Sequence, residues 1–322
     1  MTSNIGMARE RHAFQLHQYA NQMKSNNTDT ETPSSLIGLV TGLAAFLIWG
    51  LSPVYWKEIL YVPALETILH RIVWSFFFLL PIIILRGRWQ ELLSTLRNPK
   101  ALAILTLTAL FISTNWFVYI WAVTHEHLLQ ASLGYYINPL VNVLLGMVFL
   151  KERFRPLQIL ALVMAVGGVL YLTFYFGEFP LISLTLAFSF GFYGLIRKVV
   201  NVPSLVGLTV ETLILSVPAG IYLLMLYRSQ AGAFLLIDTH TDLFLMGTSV
   251  LTAVPLLLFT ISARRLRLST VGFVQYVAPT CMFLLGIFLY GEPFAMAQVV
   301  TFTLIWIALI LYSVDSILFY RK

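Results

Sequence analysis

The sequence predicts an all-α membrane protein of ten transmembrane helices, arranged as two inverted five-helix repeats. Three observations carry that reading. The first is composition: 59% of the 322 residues are hydrophobic, only 11% are charged, and mean hydropathy is +0.84. A soluble domain carries roughly 25% charged residues. Too few polar groups remain to cover a surface in water, and the apolar length suffices for about ten spans of ~20 residues. The second is an internal echo. At an offset of 140, Leu128, Tyr136, Pro139, Leu144, Leu145, Gly146, Glu152, Phe154 and Gln158 meet Leu268, Tyr276, Pro279, Leu284, Leu285, Gly286, Glu292, Phe294 and Gln298. So many identities in register mark a duplication. The third is where the cations lie: seventeen of the twenty Lys and Arg fall in alternate connections or tails, as a helical membrane topology requires.

Residues 1–35 come first and stand apart. They are polar, rich in Asn, Gln, Thr and Ser, and lack the apolar core of roughly 7–15 residues that a secretory signal needs. They read as a cytoplasmic tail expected to be disordered, with a short amphipathic helix over Arg9–Tyr19 as an alternative and Met23 as an alternative start. The first repeat follows over 36–178 and the second over 179–322. Apolar runs place spans at 36–56, 66–85, 101–123, 130–150, 156–175, 180–196, 205–227, 242–263, 270–290 and 295–318. Most connections are short, which fits antiparallel neighbours.

The cations orient the bundle. With both termini cytoplasmic, seventeen Lys and Arg lie inside, only Lys57 and Arg228 lie outside, and Arg71 falls within a span. A drifting form of the same offset relates Leu43, Gly50 and Lys57 to Leu184, Gly191 and Lys198, and Glu66 and Thr67 to Glu211 and Thr212. Five helices per half is an odd number, so the second half must be inverted. That architecture belongs to transporters that bind solute near the midplane, although a channel or membrane enzyme can also arise by duplication.

Polar groups inside lipid are costly and need a reason. In span 2, Glu66, His70 and Trp74 share one face at four-residue spacing, with Arg71 turned about 100° away. Arg71, His70 and Trp74 are candidates for solute binding; Glu66 and its counterpart Glu211 are candidates for gating or proton coupling. The plainer reading makes Arg71 a strut and the two acids dipole-compensating residues of a first turn. Asn115 and Trp116 in span 3, Asn138 and Asn142 in span 4, and Gln275 and Tyr276 in span 9 are candidates to line a cavity, against helix-to-helix hydrogen bonds worth ~0.6 kcal/mol each. Trp49, Ser52 and Tyr55 of span 1 are weaker ones. Pro139 and Pro279 each free the carbonyl four residues earlier and form a candidate hinge pair. Glu152 and Glu292 read as caps of the helices that follow them. His125 and His127 read as loop residues rather than metal ligands, and no metal site or cofactor is expected. The lone Cys281 permits no internal disulfide. No phosphate-binding loop, zinc-protease or nucleophile-elbow motif is present, so no nucleotide site or hydrolase centre is visible.

The runs ASLGYYINPLVNVLLG, LKERF, HRIVWSFFF, STNWFVYIWAV, RLRLSTVGFVQYVAPT and LAFSFGFYGLIRK resemble the RarD group of the EamA family, within the drug/metabolite transporter superfamily. The resemblance covers about residues 36–320. It implies two inverted EamA repeats in a bacterial inner membrane and a small-molecule permease role linked to chloramphenicol sensitivity. It further implies a cavity lined chiefly by spans 1–4 and 6–9, with spans 5 and 10 as scaffold. The expected function is secondary transport of a small metabolite or drug by alternating access, outward, with no enzyme activity. Arg71 would hold an anionic group, such as the carboxylate of an amino-acid-like compound. The expected partners are a small-molecule solute and the lipid bilayer, with a homodimer left open and no nucleic acid. A membrane enzyme on a lipid-soluble substrate and a non-transporting scaffold remain alternatives.

Overall fold

The computed structural model describes residues 31–125, 127–177, 180–291 and 295–320. The tail reading for 1–30, Glu126 between its two histidines, and the cap assigned to Glu292 lie outside the described residues. Ten helices are long and apolar enough to cross a membrane: Ser35–Ile59, Ala64–Leu85, Pro99–Ala122, Gln130–Leu150, Pro156–Phe176, Leu181–Val199, Ser204–Arg228, Thr239–Arg265, Leu268–Leu289 and Met296–Leu318. They are spans 1 to 10. Among the described residues there is no strand. Span 1 begins further back than its apolar run, because the helix extends through the polar turn from Glu31.

One short helix escaped the sequence reading. Trp89–Arg97 lies between spans 2 and 3 and buries Leu92 against Leu105, Ile83 and Val206. Its charged residues mask it as a polar loop. Local chemistry explains three span starts. Asn98 caps span 3 by accepting from the backbone N–H groups of Lys100 and Ala101, with Pro99 at the first helical position. Asp238 caps span 8, and the N–H and hydroxyl of Thr241 that donate to it hold its carboxyl below the usual carboxylate range. At the start of span 5, Gln158 Oε1 accepts from the Arg155 backbone N–H at 3.2 Å.

The main pairings run between the two halves. Span 1 packs on spans 8 and 9, and span 6 packs on spans 3 and 4. Spans 2 and 7, 4 and 9, and 5 and 10 pair directly. Exchanging span n for span n + 5 maps these principal pairings onto one another, as expected of two like halves. One core cluster unites spans 4, 5, 9 and 10 through Leu133, Ala165, Phe273, Phe302 and Tyr312. A second joins spans 1, 2, 3, 6, 7, 8 and 9 around the aromatic group Phe46, Phe190, Tyr193 and Phe259. Spans 5 and 10 meet mainly each other and contribute nothing to the cavity described below. Leu85, Phe174 and Phe288 stand exposed on the periphery, where apolar surface suits lipid.

The Glu152 assignment needs correction. Its carboxylate does not cap span 5. Oε1 accepts from the Leu268 N–H at 2.6 Å, and Oε2 accepts from the Ser269 N–H at 3.0 Å and the Ser269 hydroxyl at 2.5 Å. Thus Glu152 caps span 9 across the repeat boundary. Gly146 makes room: a Cβ there would meet Glu152 Oε2 at 2.8 Å. Removing the acid strands three donors at a helix start. Glu152→Ala should therefore lower the unfolding free energy by about 2 kcal/mol in detergent, and Glu152→Gln by less. Equal stability of all three proteins would overturn the cross-repeat cap.

Candidate functional site

Between the halves lies a cavity of about 770 Å³ lined by residues of spans 1, 2, 3, 4, 6, 8 and 9. It reaches residues 57–64 and Tyr290 at one end of the bundle and stops at Phe46 and Phe190 toward the other. The closed end is the one that carries the basic connections. Phe259 sits 6.0 Å from Phe46 and 4.9 Å from Phe190, centroid to centroid, and continues the floor into the core. Tyr193 stacks on Phe259 beyond it.

Five candidates meet in this cavity: Arg71, Asn115, Trp116, Asn138 and Gln275. Arg71 Nε donates to the Thr252 hydroxyl at 2.9 Å. Its guanidinium lies 4.9 Å from the Trp56 ring centroid and 5.5 Å from that of Trp116. Such cation–π contacts orient the group without neutralising it. Asn115 Nδ2 donates to the Leu186 carbonyl and the Ser189 hydroxyl, which fastens span 3 to span 6. Asn138 is buried, and its Oδ1 has no hydrogen-bond partner. Gln275 Oε1 accepts from Asn142 Nδ2 at 2.7 Å, linking spans 9 and 4.

The remaining candidates fall elsewhere. Spacing grouped Glu66, His70 and Trp74 with Arg71, but the 100° turn sends them to a different neighbour. Glu66 Oε1 accepts from the backbone N–H of Ala233 at 2.6 Å and of Phe234 at 3.3 Å. His70 Nε2 stands 3.8 Å from that carboxylate, and Trp74 Nε1 donates to His70 Nδ1. Phe234 packs on both the His70 and Trp74 rings. These three residues hold the connection between spans 7 and 8 and do not line the cavity. Asn142 lies behind the cavity wall, bonded to Gln275. Tyr276, also off the cavity, donates to the Tyr136 carbonyl. Of the weaker candidates, Trp49 and Ser52 line the cavity, whereas the Tyr55 hydroxyl donates to the Phe244 carbonyl.

Glu211 lies beyond the floor in a fully enclosed network. It accepts from the Thr108 hydroxyl at 2.6 Å and the Tyr193 hydroxyl at 3.2 Å, with Arg197 Nε at 3.4 Å. Arg197 is wholly buried and donates to the Ser204 carbonyl. Gly207 leaves its space to the guanidinium: an added Cβ would overlap Arg197 Nη1. Around this network Lys198 donates to the Ala263 and Leu266 carbonyls, and Arg264 to those of Val200 and Val202. Arg267 donates to the Arg153 carbonyl. Backbone carbonyls, hydroxyls and the acids Glu211 and Glu152 thus tie the basic end together across both halves.

The two prolines behave differently. Span 4 runs through Pro139 as one helix, Leu128–Leu150. Span 9 breaks at Tyr276, resumes at Val277–Leu284 with Pro279 inside it, and ends in a π-helical turn, Leu285–Leu289. Irregular turns of that kind tend to sit at functional places.

Trp56, Tyr119, Tyr135, Phe190 and Thr252 also line the cavity and were not singled out for that role. Tyr119 had a signal, being four residues from Asn115 on one helical face. Tyr135 was visible beside Tyr136, but only as part of the repeat. Thr252 had none, since one Thr in a Thr- and Ser-rich helix is unremarkable until its partner is known. Among the described residues, no group of three His, Cys, Asp or Glu could hold a metal ion.

Comparison with known proteins follows from this geometry. The EamA-like transporter family matches residues 36–174. The chain is 48% identical to Protein RarD of Salmonella typhi over 285 residues, spanning 88% of this chain and 97% of that protein. It is 45% identical to Protein RarD of Escherichia coli K12, spanning 88% and 96%. A solved crystal structure aligns with a TM-score of 0.66 at 19% identity, covering 88% of this chain and 97% of that one. At that identity the likeness concerns the fold alone.

Proposed function

The chain belongs to the EamA-like transporter family, in its RarD group, and from that premise we propose that it is a secondary transporter exporting a small metabolite or drug by alternating access. The observation that carries the reading is the cavity itself. It lies between the two halves, holds Arg71, reaches the span 1–2 connection at one end and stops short of the basic end. The distribution of Lys and Arg favours a cytoplasmic basic end and cytoplasmic termini, and the likeness to bacterial RarD proteins favours a bacterial inner membrane. In that orientation the cavity faces outward, the state from which an exporter releases its cargo.

Solute binds against Arg71, Asn115, Trp116, Asn138 and Gln275. The reverse state requires the basic end to part, so the Arg197–Glu211 network serves as the inner gate. The clamp of Glu66 on the span 7–8 connection braces the opposite end. Where span 9 breaks at Tyr276, ahead of Pro279, the chain has the irregularity a rocking motion needs, with Pro139 as its partner in the other half. Energy comes from an ion or solute gradient. A carboxylate inside the membrane is a usual proton relay, and Glu211 fills that role in a proton-coupled cycle.

Counterflow in liposomes reconstituted with the full chain tests the reading. The panel includes carboxylates, amino acids and chloramphenicol, with and without a pH gradient. Accelerated exchange of at least one solute is expected, with a rate that the gradient alters. Absence of exchange for every solute by folded protein would sink it.

A further inference from the structure

The charges of the cavity lining are all of one sign. Arg71 and Lys57 contribute to it, and no Asp or Glu does among the described residues. Glu58, next to Lys57 in the chain, is exposed and outside the lining, and the other nearby acids are engaged. Glu66 accepts from the backbone of Ala233 and Phe234, Asp242 from Leu235 N–H, and Glu211 pairs with Arg197. No carboxylate lies within ion-pair distance of the half-buried Arg71 among the described residues, whereas the fully buried Arg197 has one. Lys57 rests its ammonium 3.0 Å from the Tyr290 ring centroid, and it too has no acid partner there. A cation withdrawn in part from water without a counter-charge costs free energy. Arg71 nevertheless holds its place by a hydroxyl and two indole faces, which leaves its terminal guanidinium nitrogens for a ligand. That fork suits a carboxylate.

Two further features narrow the ligand. The walls are flat and apolar, made by Trp49, Trp56, Trp116, Tyr119, Tyr135 and Phe190. Asn138 presents a buried oxygen that lacks a donor.

We propose that the cavity selects a net anion with a flat apolar body, an aromatic carboxylate, over the zwitterion and the cation of the same shape. The inference rests on the cavity being the transport site. It differs from an amino-acid-like cargo in one respect: an ammonium group would meet two like charges and no acid. Beside low-dielectric aromatic walls those charges act with less screening than in bulk solution. Opposite charge attracts the carboxylate, and the aromatic walls take the ring. The Asn138 oxygen is free to accept from a hydroxyl or a protein-bound water.

Three isosteric probes test this: 3-phenylpropionate, phenylalanine and 2-phenylethylammonium. Binding to the detergent-purified full chain is read by tryptophan fluorescence, since Trp56 and Trp116 flank Arg71. The anion should bind tighter than either of the others by about tenfold or more, a difference of about 1.4 kcal/mol. Arg71→Gln should erase the preference, Arg71→Lys should keep part of it, and Lys57→Gln should weaken it less. Should Arg71→Gln fail to fold, the ranking of the three probes on the native chain and the Arg71→Lys result still decide. Equal binding, a zwitterion or cation preference, or no binding of any probe would overturn the inference. Counterflow of the same anion separates the two readings. Selective binding without exchange supports the ligand class and sinks transport, and exchange of phenylalanine with no anion preference does the reverse.

Discussion

Replacing Arg71 by Ala is expected to abolish transport in proteoliposomes while the protein still folds. Arg71 is the one cation deep in the cavity wall, and its protein contacts are a single hydroxyl and two aromatic faces. Its loss leaves no protein acid unpaired, so the fold gives up little beyond one hydrogen bond of about 1 kcal/mol. The bound solute loses much more. Removing one partner of a desolvated charge pair costs roughly 2–5 kcal/mol, which is about 30-fold to several thousandfold in affinity. Size-exclusion elution and the unfolding midpoint report the fold, and counterflow reports the function. Unchanged exchange by a well-folded Arg71→Ala protein would remove Arg71 from the site.

Glu211→Ala should do the opposite and damage the fold first. Arg197 is fully buried, and Glu211 supplies its one carboxylate partner within ion-pair distance among the described residues. Deleting the acid leaves a buried guanidinium uncompensated, at about 3–5 kcal/mol. Tyr193 also loses the acceptor of its hydroxyl, whereas that of Thr108 keeps the Leu105 carbonyl. Glu211→Gln keeps an acceptor in place and should cost less. The pair Arg197→Met with Glu211→Leu removes both charges and should regain much of the stability, because desolvation of the pair offsets its attraction. Stability comes from unfolding in detergent, and the gate role from transport by the double variant. A stable double variant that exchanges solute at the native rate would reduce the network to a structural pair. Native stability of Glu211→Ala would contradict the burial argument itself.

The two residues contrast in how far they could be read. Both stand out in the sequence as charges within apolar helices. Their neighbours do not. Span 2 displays Glu66, His70, Arg71 and Trp74 within nine residues, and helical geometry alone separates Arg71 from the other three. It cannot say which face meets the cavity and which meets the span 7–8 connection. The structure decides that through Ala233 and Phe234, residues 167 and 168 positions away from Glu66. Glu152 had the same fate. Its nearest helix start in sequence is span 5, but the donors it binds belong to span 9.

Span number, span edges and the likeness of the two halves were legible because each rests on a local or periodic property. A membrane demands apolar runs of a set length, and a duplication leaves identities at a constant offset. The expectation that Pro139 and Pro279 act alike was less secure for a physical reason. A proline removes one hydrogen bond wherever it stands, but the surrounding packing decides whether the helix breaks. Span 4 continues past Pro139, and span 9 is interrupted before Pro279.

By itself the sequence determined the solvent of this protein, its ten helices, its orienting charges and the existence of a costly cation at position 71. Those follow from composition, length and spacing, which need no knowledge of the fold. Only the tertiary structure decided which polar groups share a cavity, which end is closed and which charges are already paired. Pairing is a relation between distant segments. The chain's pattern sets Arg71 inside a span and Arg197 at the edge of one, but packing alone brings a carboxylate to Arg197 and none, among the described residues, to Arg71.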